Sequence, residues 1–112
     1  MAYDKYTYDV ATSAQRVEIV SSPSASPANT TVVSSASSVT ILAANAARKG
    51  ATITNDSTAI LYLSLAGGTA STSNYSVQLS SGAYYEVPFT INTALTGIWA
   101  SANGNARVTE LT

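Results

Sequence analysis

The chain has no histidine and no cysteine, and only 10% of its 112 residues are charged. Histidine is the side chain that ordinarily titrates near neutrality, and the cysteine thiolate is a common nucleophile and metal ligand. Their absence removes Ser–His and Cys–His nucleophile pairs, His/Cys zinc sites and disulfides from consideration. Proline occurs three times, and tryptophan, phenylalanine and methionine once each. No stretch approaches the roughly 18 consecutive apolar residues of a membrane helix. The start, Met1 to Tyr8, lacks the basic flank and apolar run of a signal peptide, so synthesis in the cytosol is the simplest expectation. Five Lys and Arg against six Asp and Glu leave a net charge of −1. That balance cannot make the basic stripe needed for nucleic acid or an anionic membrane.

What is present is small and apolar: 46% of residues are hydrophobic, set among many Ser, Thr, Ala and Asn. A chain of this length has room for one domain. Surface scaling lets it bury about 65% of its unfolded surface, enough for a modest core. One composition break stands out. Residues 21–30 include SSPSASPAN, with Pro23 and Pro27, and read as a linker, because such residues bury too little to offset their ordering entropy. Upstream, residues 1–20 carry Tyr3, Tyr6 and Tyr8. In the run Gln15 to Val20, Val17 and Ile19 alternate with Arg16 and Glu18. This segment reads as an amino-terminal arm that adds a strand to a neighbouring subunit, with those tyrosines, Val17 and Ile19 as its contact residues. The plainer reading is a frayed terminus.

From residue 31 to 112 the period is two. Short runs, beginning with the Thr-Thr-Val-Val that ends at Val33, are separated by turn residues such as Asn55-Asp56-Ser57, Gly67-Gly68, Ser80-Ser81-Gly82 and Asn103-Gly104. The strongest is Ile60 to Leu65, with Leu61, Leu63 and Leu65 on one face and Tyr62 on the other. Pro88 ends the run Ala83 to Val87 or marks an edge. The one helical competitor, Ala43 to Lys49 before Gly50, suits a single turn. Eight short strands at even spacing predict an all-β domain, a single antiparallel β-sandwich of jelly-roll type, behind the extended arm.

The motifs give little for catalysis. Asp56, Glu86 and Glu110 lie on separate predicted strands or turns, and read as solvated or ion-paired surface acids. Folding would have to bring two of them together for a glycosidase pair. Serine is plentiful, but the available lysine bases, Lys5 and Lys49, sit in no recognisable motif. Asn55-Asp56-Ser57 lacks the spaced acids of a calcium loop and is better read as a turn. Gly67-Gly68 is followed by no helix, unlike a phosphate loop. No catalytic residue, metal ligand or cofactor site is therefore expected. The aromatics offer more. Tyr62, Tyr84 and Trp99 form a candidate exposed platform for sugar stacking or protein contact, while Tyr75, Tyr85 and Phe89 divide between core and surface. In Tyr84-Tyr85 the pleat must send one ring inward and the other outward.

From residue 31 onward the chain resembles small structural proteins of tailed bacteriophages. The resemblance rests on the run Val39 to Ser57 (VTILAANAARKGATITNDS), on Ser81 to Pro88 (SGAYYEVP) and on Gly97 to Leu111 (GIWASANGNARVTEL). It implies a non-enzymatic virion component such as a capsid decoration or cement protein, a head-fibre subunit or a tail-associated part. The implied partners are copies of itself, with a trimer favoured, and other virion proteins such as the major capsid protein. A second reading is a carbohydrate-binding module of a phage tail or fibre, using the aromatic platform on a glycan.

Overall fold

Alternation of apolar and polar side chains becomes structure here by giving each strand one face to bury. In a computed structural model that describes Pro23 and residues 26–112, eight strands appear. They are β1 (Pro27–Val33), β2 (Val39–Leu42), β3 (Gly50–Asp56), β4 (Leu61–Ser64), β5 (Val77–Leu79), β6 (Tyr84–Val87), β7 (Leu95–Trp99) and β8 (Asn105–Leu111). They form two four-stranded sheets, ordered β1-β8-β3-β6 and β2-β7-β4-β5. Every pairing is antiparallel, and no helix occurs among the described residues. The domain is therefore all-β and sandwich-like, as the alternation predicts.

One cluster joins the two sheets. Ile53, Ala106 and Val108 from the first pack with Ile41, Leu61, Leu63, Leu95 and Trp99 from the second. Burying a side chain of this size stabilises the fold by about 1.5–3 kcal/mol, so the modest core rests on a handful of residues. Within the second sheet the side chains of the two flanking strands close over Gly97, where a Cβ would lie 2.9 Å from Ile41 and 3.1 Å from Leu61. Only β4 and β5 are consecutive strands that pair with each other; every other connection crosses between sheets. The crossing from β7 to β8 turns at Gly104, whose φ is 82° and where a Cβ would sit 2.5 Å from the Asp56 carbonyl oxygen.

Several expectations need correction. The last part of the presumed linker is strand. Pro27 opens β1, whose residues pair in unbroken register with β8 from Pro27–Leu111 to Val33–Asn105. Proline is tolerated at the first position of an edge strand, and Thr109 Oγ1 donates to Asn29 Oδ1 at 2.7 Å to support the pairing. Over Ala43 to Lys49 no helix forms, only a single hydrogen-bonded turn in which Arg48 N donates to the Asn45 carbonyl at 3.0 Å. The Asn45 side chain accepts from the Ala47 amide at 3.0 Å, a local bond that competes with helix. Asn55 and Asp56 belong to β3 rather than to a turn. The arm residues Tyr3, Tyr6, Tyr8, Val17 and Ile19 lie outside the described residues.

Two polar side chains are buried in this framework. Asn55 is fully enclosed. Its Nδ2 donates to the carbonyls of Ala59 (2.8 Å), Leu79 (3.0 Å) and Ser80 (3.2 Å). Its Oδ1 accepts from Ser57 Oγ (2.7 Å) and Trp99 Nε1 (3.3 Å). One amide thus ties β3 to strands of the opposite sheet. Arg48, whose side chain is 1% exposed, donates to Glu110 at 2.8 Å. Its other nitrogens donate to the carbonyls of Ile91, Thr93 and Ala43. Burial of a charge on this scale is sustained only by such full hydrogen bonding.

Candidate functional site

The candidate aromatic platform does not assemble. Trp99 is 1% exposed and belongs to the core, because on β7 it shares the buried face of Leu95 and Gly97. Tyr62 lies between the inward Leu61 and Leu63 on β4, so its half-buried ring faces out from the second sheet. There it packs against Tyr75 with centroids 4.8 Å apart, and Tyr75 Oη donates to Gln78 at 3.0 Å. Tyr84 alternates with the inward Tyr85 and Val87 on β6 and faces out from the first sheet. Tyr62 and Tyr84 therefore occupy opposite outer surfaces, with Trp99 between the layers. The Tyr84-Tyr85 pair divides as the pleat requires.

The first sheet carries a different surface, which the sequence reading missed. Strand register lines up its outward residues in rows. Glu86, Thr52, Thr109 and Asn29 form one row, and Tyr84, Thr54, Arg107 and Thr31 the next. Hydrogen bonds fix both. Arg107 donates through Nε to Asp56 at 2.8 Å and through Nη1 to Thr31 Oγ1 at 3.0 Å. Tyr84 Oη donates to Glu86 at 3.1 Å, and that bond, together with the carboxylate's opposition to a phenolate, holds the Tyr84 phenol above its ordinary range. The face is polar, extended and internally satisfied, with the Tyr84 ring at one side. Its threonine positions were visible as the alternate members of Ala51 to Thr54 and Ala106 to Thr109. The register that aligns them was not.

The opposite outer face is partly covered. The loop between β4 and β5 crosses it, with Ala70 N donating to Ser38 Oγ at 3.0 Å and Thr96 Oγ1 donating to the Gly68 carbonyl. Gly67-Gly68 therefore serves this covering loop. Two open grooves occur, of about 420 and 490 Å³. The first is floored by Leu111 and Gly50 beside Phe89, and the second lies between Gly68 and Thr40. Phe89, 77% exposed, is the most exposed large apolar side chain among the described residues.

The three described side-chain carboxylates each have a separate partner. Glu110 is held by buried Arg48, Asp56 by exposed Arg107, and Glu86 accepts from Tyr84. Among the described residues no three acidic, His or Cys side chains gather as a metal-binding group. The features with room to act are surfaces: the ordered outer face of the first sheet and the outer edges of β1, β6, β2 and β5, which no other described strand pairs with. Comparison with protein families, with curated proteins and with solved structures gives no match for this chain.

Proposed function

We propose that this chain is a non-enzymatic structural subunit of a tailed-bacteriophage particle, of the decoration, cement or head-fibre kind. It binds laterally through sheet edges and through its amino-terminal arm. The observation that carries the reading is the strand order. Among the described strands, numbered along the chain, the first lies beside the last in β1-β8-β3-β6, opposite β2-β7-β4-β5. We infer from it a jelly roll, the double-sheet arrangement of many viral capsid domains and of lectins. Strand order alone is support by analogy, because one fold serves many functions. The resemblance of Val39 to Ser57, Ser81 to Pro88 and Gly97 to Leu111 to small phage structural proteins turns the choice toward a particle. The surface agrees with that choice in kind, being rich in fixed polar rows and open strand edges and poor in free charge.

The same fold supports the carbohydrate-binding alternative, and Tyr84 beside the threonine rows is its specific observation. With Trp99 buried, that face retains one aromatic ring where sugar stacking commonly uses more surface. Binding of purified protein to purified particles lacking it tests the first reading, with a glycan panel run in parallel. Saturable particle binding without glycan binding supports the structural role. Glycan binding lost on Tyr84→Ala, without particle binding, replaces it with the second.

A further inference from the structure

The four sheet edges are not equivalent. In the second sheet, β5 has three residues and β2 is broken by a register shift between Thr40 and Leu42. In the first, β6 is short, bears Glu86, and is followed at once by Pro88, which has no N–H to offer. Charge, proline, brevity and bulges are the usual devices that keep an edge from pairing. β1 has none of them along its body. It runs for seven residues as Pro-Ala-Asn-Thr-Thr-Val-Val, with no charge and no break in register, and proline only at its start. Six of its seven residues are exposed, including Val33 at 71%.

The direction of its free backbone groups follows from the ladder. Ser34 N donates to the Gly104 carbonyl at 3.1 Å, in register with the pairing of β1 and β8. Bonded and non-bonded pairs alternate along an antiparallel ladder. Ala28, Thr30 and Val32 therefore turn their N–H and carbonyl groups toward β8, and Asn29, Thr31 and Val33 turn theirs outward. Among the described residues no strand pairs with this outer edge. The Pro23 carbonyl accepts from Lys49 Nζ at 3.1 Å, and Lys49 adjoins Gly50, which pairs with the far side of β8. Pro23 therefore sits beside Lys49, on the β3 side of β8.

We infer that β1 pairs antiparallel with β1 of a second copy, about a twofold axis through Thr30. This register uses the whole strand and sets Asn29 opposite Thr31, Ala28 opposite Val32 and Pro27 opposite Val33. All outward N–H groups then meet outward carbonyls. Asn29 and Thr31 exchange a pair of bonds with their counterparts, and the Val33 N–H meets the Pro27 carbonyl, where the missing proline donor costs nothing at a strand end. The side chains suit one another as well. Asn faces Thr, as Asn29 already does toward Thr109, and apolar residues face apolar ones. No charge meets a like charge, since the nearest, Arg107, is held by Asp56 and Thr31. The two first sheets become one continuous eight-stranded sheet. The edge is about 23 Å long, and such a strip buries less than the roughly 1,000 Å² of a stable interface. Association is therefore concentration-dependent, and suited to reinforcement in a lattice.

The setting of this pairing rests on the assembly reading, but the pairing itself is a property of β1. Amide hydrogen exchange on the full chain, from dilute to concentrated solution, tests it alongside sedimentation equilibrium. The N–H groups of Asn29, Thr31 and Val33 gain protection together as the mass rises to twice the monomer, while those of Tyr84 and Glu86 on the opposite edge do not. Thr31→Pro removes an outward donor and the Oγ1 that accepts from Arg107, but leaves the backbone ladder to β8 in place and gives a folded monomer at every concentration. Should that variant misfold, Val33→Lys places a charge at the seam and weakens the pair in the same way. Unchanged exchange at all three amides, or an oligomer such as the trimer implied by the phage resemblance whose mass ignores both variants, overturns the inference. A protected β1 in a protein absent from particles overturns only the virion reading.

Discussion

Replacing Asn55 with alanine tests the interior of the sandwich most severely. The side chain is 0% exposed, and its amide serves Ala59, Leu79, Ser80, Ser57 and Trp99. Alanine fills part of the space but leaves the Trp99 indole N–H without its acceptor and takes the buried amide donor from the Leu79 and Ala59 carbonyls, of which Ala59 keeps Ser57 Oγ. Each orphaned buried group costs about 1–3 kcal/mol, and partial relaxation brings the expected loss to about 3–5 kcal/mol. That is a large part of the roughly 5–15 kcal/mol available to a small domain. Trp99 is the sole tryptophan and reports directly on this site, so urea unfolding followed by its fluorescence is the assay. The midpoint falls steeply while the slope stays constant. Asn55→Asp adds a sign test. Burial raises the pKa of the new carboxyl, so the variant is least impaired at acid pH, where the group stays neutral in both states. It loses stability as pH rises above the ordinary aspartate range of about 3.9. A loss below about 1 kcal/mol for Asn55→Ala, or a pH trend of the opposite sign, refutes the reasoning.

The two ion pairs among the described residues are equal in length and opposite in environment. Arg48→Ala leaves Glu110 and several carbonyls unpaired and costs about 3–5 kcal/mol, whereas exposed Arg107→Ala costs under about 1 kcal/mol. Both are read from chemical denaturation, and equal losses contradict the burial argument. Among the glycines, Gly104→Ala is the most damaging, since it combines a positive φ with a backbone clash. Gly82→Ala meets open space at φ 77° and costs only the left-handed penalty of about 1–2 kcal/mol; melting temperatures in the reverse order remove this account of the turns. Glu86→Gln lowers the Tyr84 phenol pKa toward its ordinary value, as ultraviolet titration will register. The Tyr84–Glu86 contact persists below the tyrosine's unfolded pKa and is lost as pH rises through the higher folded one.

Much of the fold was legible because alternation has a direct physical cause. The faces of Ile60 to Leu65 and of Tyr84-Tyr85 follow from the pleat, and Leu61, Leu63 and Tyr85 turn inward accordingly. Trp99 was legible too, since it shares parity with Leu95. Its size suggested a ligand surface, but position on the strand decides burial. Asn55 was hidden by its neighbours Asp56 and Ser57, which together look like a turn, although Ala51, Ile53 and Asn55 fall on one face. Arg48 was not legible at all. Its partners Ile91, Thr93 and Glu110 lie more than forty residues away, and no local pattern announces a pairing of that range. The same holds for the outer rows of the first sheet, which exist only through register. The end of the linker was misread because composition reports the average stretch, whereas Asn29 is fixed by a specific partner, Thr109, on β8.

Quantitative mass spectrometry of purified tailed-phage particles, produced in cells that make this chain, tests the central claim most directly. The account predicts that the protein is an integral component whose copy number scales with the major capsid protein, as expected for a lattice subunit. A few copies per particle would move it to a tail or fibre, where the glycan reading gains. Its absence from intact particles would contradict the account.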